Sequence, residues 1–107
     1  MKKKVYINEK IKKFNKKIIV PGDKSISIRF VLLASQAIGK SVAYNILRSD
    51  DVLSALKAIK KLGINYKKKG DSYFIEGYGL NNFSLRKRIT INAGNSGTLA
   101  RLILGLL

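Results

Sequence analysis

Two short segments hold the residues best suited to chemistry. The first comprises Gly22, Asp23, Lys24, Ser25 and Arg29; the second comprises Gly94, Asn95, Ser96, Gly97, Thr98 and Arg101. In each segment we expect a glycine turn to leave free backbone N–H groups at a helix start, where the helix dipole adds partial positive charge. Residues four apart share a helix face, so Ser25 lies beside Arg29 and Gly97 lies beside Arg101. Amides and a guanidinium placed together are typical of phosphate or carboxylate binding.

The two segments form an internal repeat. They begin at Gly22 and Gly94, 72 residues apart, with one set of strands and helices between them. Lys24 is a cation in the first turn of its helix, which the dipole disfavours by about 0.3–1 kcal/mol, so we expect a bound anion to compensate. In a second interpretation, which stays open, Asp23 and Asn95 are only helix caps and the glycines and arginines are only turn and surface residues.

Hydrophobic periodicity predicts the elements that position the first segment. Residues 17–20 are an apolar run that predicts a strand, and the pair Pro21-Gly22 ends it. The following helix is expected to end at Gly39 and to bury a stripe with spacings of four, three and four, which comprises Ile26, Phe30, Leu33 and Ala37. Residues 42–47 predict the next strand.

The central part of the chain predicts a second helix and a hairpin. Ser49, Asp50 and Asp51 supply oxygens for the amides of a helix that ends at Gly63. Its apolar stripe comprises Val52, Ala55, Leu56, Ile59 and Leu62. Residues 64–68 and 73–76 then predict two strands joined through a tight Gly-Asp turn.

The last part of the chain predicts the start of another unit. Residues 88–92 alternate as a half-buried strand does, and 98–107 predict an apolar helix. The predicted order is therefore β-α-β-α-β-β and then a new β-α start. Because the last helix has neither a cap nor a polar tail, we expect an N-terminal fragment of a longer protein.

Composition excludes several classes of chemistry. The 107 residues include neither Cys nor His, which excludes disulfides, thiolate or imidazole metal sites and a Ser-His-Asp triad. The net charge is +16; a general bias toward Lys explains most of it, and attraction of an anionic partner is the functional alternative. No run approaches the roughly 20 apolar residues of a membrane span, and the basic start lacks the apolar region of a signal peptide. We therefore expect a cytoplasmic protein.

The two segments resemble the signatures of the 5-enolpyruvylshikimate-3-phosphate synthase family, which read close to PGDKSISHR and GNSGTxxRLxxGLL. Here they read PGDKSISIR over 21–29 and GNSGTLARLILGLL over 94–107, and LRSDDVLSALKAIKKLGI over 47–64 is similar to the family's Ser-Asp-Asp helix. The resemblance implies an α/β (α+β) fold built from the βαβαββ repeat unit of the enolpyruvyl transferase fold, an inside-out α/β barrel that is truncated here. Residues 1–20 would be an N-terminal strand segment of the other domain, and 21–107 the first unit and the start of the second.

The resemblance also implies a transferase reaction on the route to chorismate and the aromatic amino acids. The enolpyruvyl (carboxyvinyl) group of phosphoenolpyruvate passes to the 5-hydroxyl of shikimate 3-phosphate, and phosphate is released. No cofactor and no metal are implied. Because the family's main acid–base residues lie downstream, these 107 residues should bind weakly and turn over nothing.

Site residues follow from the same resemblance. Lys24 would be the catalytic residue and contact both substrates, while Ser25 and Arg29 would hold shikimate 3-phosphate. Asn95 and Gly97 would line the phosphoenolpyruvate pocket. Secondary candidates for substrate binding are Thr98 and Arg101.

One position departs from the family pattern, and two other functions compete. Ile28 stands where the family usually has His, and we expect it to face the core.

UDP-N-acetylglucosamine enolpyruvyl transferases share the fold but follow the lysine with Asn, whereas Ser25 follows Lys24 here. A basic nucleic-acid-binding module is the other alternative, but aromatics are not interleaved with the Lys clusters as stacking requires. We expect small-molecule substrates, no nucleic acid or membrane partner, and a monomer at full length.

Overall fold

Among the residues that the structure describes, six segments fold as regular elements. The computed structural model describes residues 2–83 and 88–107. In chain order the elements are α1 (Lys24–Gln36), β1 (Ile38–Tyr44), α2 (Asp50–Lys61), β2 (Asn65–Lys69), β3 (Ser72–Tyr78) and α3 (Gly97–Leu104). The strands form one antiparallel sheet in the order β1-β3-β2. The mixed α/β class predicted from the sequence is confirmed.

The hairpin between β2 and β3 forms as predicted. Lys69 pairs with Ser72, so the turn consists of Gly70 and Asp71 alone, and Gly70 has a φ of +59°. Tyr73 and Ile75 of β3 are buried. Alternate residues of a strand point to the same face, so this is the face of the sheet that the core covers.

The predicted stripe of α2 is confirmed. All five apolar residues are buried, from Val52 to Leu62. The Ser49 hydroxyl accepts a hydrogen bond from the Val52 N–H at 3.4 Å and caps the helix. Two acidic residues lie in the first turn and two lysines in the last, and both placements complement the helix dipole. Gly63, at φ +90°, follows the helix as expected.

The predicted stripe of α1 is wrong at Ile26 and Leu33, whereas Phe30 is partly buried and packs against the core. Ile26 and Leu33 are 66% and 67% exposed, and the buried face instead contains Ile28, Val31, Leu32 and Ser35. Both sets have the spacing of a helical face, so periodicity could not choose between them. The helix also ends at Gln36, and Gly39, at φ +90°, lies within β1 rather than at a helix end.

The strands predicted over 17–20 and 88–92 do not form. Residues 17–20 are exposed, and Val20 is held by a hydrogen bond from Asn45 Nδ2 to its carbonyl at 3.1 Å. Ile89 and Ile91 pack partly against the core without strand pairing. A strand exists only when a neighbour satisfies its backbone groups, and alternation within one segment carries no information about that neighbour. The domain division at residue 20 stays a prediction.

The core lies between the sheet and the three helices. Its largest fully buried side chains include Ile28, Leu56, Ile59, Ile75 and Leu99, which come from all three helices and the central strand. The helix starts are therefore fixed relative to one another by a shared core. Within the residues that the structure describes, no helix is long and apolar enough to cross a membrane.

Candidate anion-binding site

The start of α1 offers two free backbone N–H groups. Asp23 caps the helix: its carboxylate accepts from the Ile26 N–H at 2.7 Å, and its carbonyl accepts from the Ser27 N–H at 3.0 Å. The N–H groups of Lys24 and Ser25 thus have no partner among the hydrogen bonds of the described residues. Both point out of the helix start, where an anion is favoured.

The start of α1 is anchored to the loop after β1. The Ser27 hydroxyl donates to the Asp23 carbonyl at 2.6 Å and accepts from the Leu47 N–H at 3.1 Å. Gly22 lies so close to the Asn45 carbonyl that a Cβ at Gly22 would overlap that oxygen. The missing side chain of Gly22 therefore allows a backbone approach that sets where α1 begins.

The start of α3 offers a second pair of free N–H groups. The Ser96 hydroxyl accepts from the Leu99 N–H at 3.1 Å, and the Ser96 carbonyl accepts from the Ala100 N–H at 3.1 Å. The N–H groups left free within the described chain belong to Gly97 and Thr98. The predicted cap Asn95 is wrong: it is exposed in the turn before Ser96, which is buried and serves as the cap.

The two helix starts differ in register by one residue. With the caps Asp23 and Ser96 aligned, the offset between the copies is 73 residues rather than the 72 of the sequence alignment. Arg29 is then the sixth residue of α1, whereas Arg101 is the fifth of α3. A helix turns about 100° per residue, so the two guanidiniums leave their helices in different directions relative to the free N–H groups. The copies are similar but are not equivalent sites.

Lys24 has an ionic partner in the protein itself. Its Nζ lies 3.1 Å from Oδ2 of Asp51, in the first turn of α2. The expectation that only a bound anion compensates this cation is therefore corrected. The contact also brings the starts of α1 and α2 together at one end of the fold.

The turn before α3 meets the same part of α2. A Cβ built on Gly94 would lie 3.0 Å from the hydroxyl of Ser54. Ser54 is three residues after Asp51, so both side chains lie on one helix face. One face of α2 thus contacts Lys24 beside the first site and Gly94 beside the second.

The two arginines are exposed and near α3. Arg101 Nη1 lies 3.2 Å from the position of a Cβ on Gly97, so the guanidinium folds back over the helix start. Arg29 lines an open cavity of about 210 Å³ with Leu32 and Leu33 of α1, Leu102 of α3 and Leu106, which follows α3. Lys24, Ser25 and Arg29 therefore all lie on α1, with Arg29 one turn after Ser25, and Gly97, Thr98 and Arg101 all lie on α3.

Comparison with known proteins decides the family. The family model described as EPSP synthase (3-phosphoshikimate 1-carboxyvinyltransferase) matches residues 8–107. The chain belongs to the EPSP synthase family.

Relatives agree in sequence and in structure. Proteins named 3-phosphoshikimate 1-carboxyvinyltransferase from Streptococcus pyogenes serotype M49 and Alkaliphilus metalliredigens are 46% identical over 90 residues and 41% identical over 101 residues. The matches cover 84% and 94% of this chain but 21% and 24% of those proteins. EPSP synthase from Acinetobacter baumannii superimposes with a TM-score of 0.78 at 32% identity, over 86% of this chain and 21% of that one. The chain thus spans about a fifth to a quarter of the length of these relatives, and its fold is that of their enolpyruvyl transferase family.

The departure from the family signature lies in the core. Ile28 is fully buried, which confirms that it faces the core rather than the helix start. Its neighbour Arg29 is exposed. An apolar residue at position 28 is therefore compatible with the observed placement of Arg29.

Sequence reasoning missed Asp51 and Ser54. From the sequence, the Ser-Asp-Asp segment is interpreted as a source of helix caps, which is the role of Ser49, and as similar to a helix of the family. The available signal was the cation in the first turn of α1, which required a nearby negative charge in the absence of a ligand. Only six acidic residues are present in the chain, so the set of possible partners was small.

Proposed function

We propose that this chain is part of an enzyme as long as its relatives. That enzyme transfers the enolpyruvyl group of phosphoenolpyruvate to the 5-hydroxyl of shikimate 3-phosphate and releases phosphate. The observation that carries the proposal is the position of the family's motif residues. Lys24, Ser25, Gly97 and Thr98 are the residues whose N–H groups the two caps leave free. Membership of the EPSP synthase family indicates which anions these N–H groups would bind, namely shikimate 3-phosphate and phosphoenolpyruvate.

The start of α1 is assigned to shikimate 3-phosphate. The free N–H groups, the Ser25 hydroxyl and the Lys24 ammonium offer hydrogen bonds to a phosphate or a sugar-like hydroxyl. Arg29 lies one turn further on the same face as Ser25. Lys24 is 53% exposed, so its ammonium can be shared between this substrate and its neighbour.

The start of α3 is assigned to phosphoenolpyruvate. Gly97 has no side chain, so an anion can approach the free N–H groups closely. Arg101, folded over Gly97, and the exposed Asn95 offer further donors to a carboxylate or phosphate. Because α2 contacts both helix starts, the two substrates would be held next to each other.

These residues contribute charge stabilisation rather than most of the proton transfer. The reaction adds the 5-hydroxyl across the enolpyruvyl double bond, with a proton delivered to the methylene and the hydroxyl proton removed. The tetrahedral intermediate then loses phosphate together with a proton from the new methyl group, which restores the double bond. Two phosphorylated substrates bring several negative charges together, and fixed donors stabilise them better than water does. We assign this task to the helix starts and Lys24.

Calorimetric titration of the complete protein tests the assignment. Shikimate 3-phosphate and phosphoenolpyruvate should each bind more tightly when the other is present, and together they should release phosphate. UDP-N-acetylglucosamine in place of shikimate 3-phosphate should release none, because Ser25 follows Lys24. Tight, salt-sensitive binding to RNA with no response to either substrate would instead support the nucleic-acid-binding alternative.

A further inference from the structure

Lys24 and Asp51 differ in how firmly the protein holds them. The Asp51 side chain is 17% exposed, whereas that of Lys24 is 53% exposed. Asp51 is the second residue of α2, and the Ser49 cap fixes the start of that helix. A carboxylate in this turn is also stabilised by the dipole of its own helix. Asp51 is therefore the fixed partner of the ion pair, and it determines where the Lys24 ammonium lies.

Other acidic residues near these helix starts have different contacts. The first turn of α1 contains no acidic residue, and the Asp23 carboxylate accepts the capping bond from Ile26. Asp50, the neighbour of Asp51, makes no ion pair among the residues that the structure describes. The direction of the Lys24 side chain is thus set by a single carboxylate from another helix.

A lysine without such a partner samples many rotamers. Its four-carbon stem is flexible, and ordering it costs conformational entropy. A reaction that needs the ammonium between two anions gains from having that order in place before the substrates arrive. The carboxylate has an opposing effect on binding, because it also repels a nearby phosphate.

We propose that Asp51 is a positioning residue that acts through Lys24, an inference that rests on the proposed function. It holds the ammonium of Lys24 beside the start of α1 and so aligns it for the reaction, while contributing little to substrate affinity. Replacing Asp51 removes the order of the Lys24 side chain, which weakens substrate binding, and removes the repulsion of the phosphate, which strengthens it. Turnover depends on the alignment of the ammonium, so there only the loss of order has an effect.

The test compares Asp51→Asn with Asp50→Asn in the complete enzyme. Both variants remove one negative charge from the first turn of α2, but only the first removes the partner of Lys24. We expect kcat of Asp51→Asn to fall about 10-fold while the Kd for shikimate 3-phosphate changes less than about 3-fold. Asp50→Asn should leave both within about 2-fold, and Asp51→Glu, which restores a carboxylate, should recover most of kcat.

Equal kcat for the two Asn variants would overturn the inference, as would an Asp51→Glu enzyme no better than Asp51→Asn. Thermal unfolding is measured on each variant, and Asp51→Ser replaces Asp51→Asn in the same comparison if that variant does not fold. Failure of the wild-type enzyme to bind shikimate 3-phosphate would contradict the proposed function itself. If the wild-type enzyme turns over normally and the Asp51 variants have the same kcat, only the role of Asp51 is contradicted.

Discussion

The guanidinium of Arg101 lies over Gly97, with Nη1 3.2 Å from the point where a Cβ of Gly97 would be. The two residues are four apart on α3, and the absence of a side chain at the first lets the second fold back toward the helix start. The free N–H groups of Gly97 and Thr98 therefore lie beside a guanidinium. This relationship supports the proposal that the start of α3 binds an anion.

Gly97→Ala should weaken phosphoenolpyruvate binding without destabilising the protein. The new Cβ would meet the end of a flexible side chain, so Arg101 would move, and Ala is a better helix former than Gly. We expect the Kd for phosphoenolpyruvate to rise about 10-fold, equivalent to about 1.4 kcal/mol. Gly105→Ala is the matched control, because it lies past the end of the same helix at ordinary φ. Equal affinities in the two variants would contradict the assigned role of Gly97.

Lys24→Ala should abolish phosphate release and leave the fold intact. The Lys24 side chain is 53% exposed and that of Asp51 17%, and ion pairs that solvent reaches contribute about 0–1 kcal/mol to stability. Circular dichroism and thermal unfolding should therefore resemble wild type, while a phosphate assay shows no turnover. Lys57→Ala, on the exposed face of α2, is the control and should retain activity. Turnover at the wild-type rate in Lys24→Ala would remove Lys24 from the catalytic assignment.

Gly94→Ala should destabilise the protein, and Ser54→Ala should partly reverse the effect. Gly94 has a φ of +58°, where an alanine costs about 1–2 kcal/mol, and its Cβ would lie 3.0 Å from the Ser54 hydroxyl. Removing that hydroxyl relieves the contact but not the backbone strain. Denaturant unfolding of the two single variants and the double variant measures both parts. A double variant no more stable than Gly94→Ala would show that Ser54 does not limit this turn.

Ile28→His should lower stability rather than restore a family function. Ile28 is fully buried, and an imidazole there would lose its hydrogen bonds with water, at a cost of about 1–3 kcal/mol before any packing loss. Leu33→His on the same helix is the control, since Leu33 is 67% exposed. Thermal unfolding should show a clear decrease for the first variant and little change for the second. Equal decreases in the unfolding temperature of the two variants would mean that the burial of position 28 does not cause the loss of stability.

Much of the fold could be predicted where local signals agree. The stripe of α2, its Ser49 cap and the two-residue turn at Gly70 were all correctly predicted, because each depends on neighbours within a few residues. The motifs of the sequence likewise identify the family. The roles assigned to the site residues stay predictions, although the structure places them at the two helix starts.

The amino-acid sequence by itself determined which residues are candidates for anion binding and which family the chain belongs to. Tertiary structure decided which face of α1 is buried, that Ser96 rather than Asn95 caps α3, and that Asp51 and Ser54 of α2 contact both helix starts. The physical reason is that periodicity and caps act over one or two turns. Burial and long-range ion pairs depend instead on which elements share the core, and no local pattern contains that information.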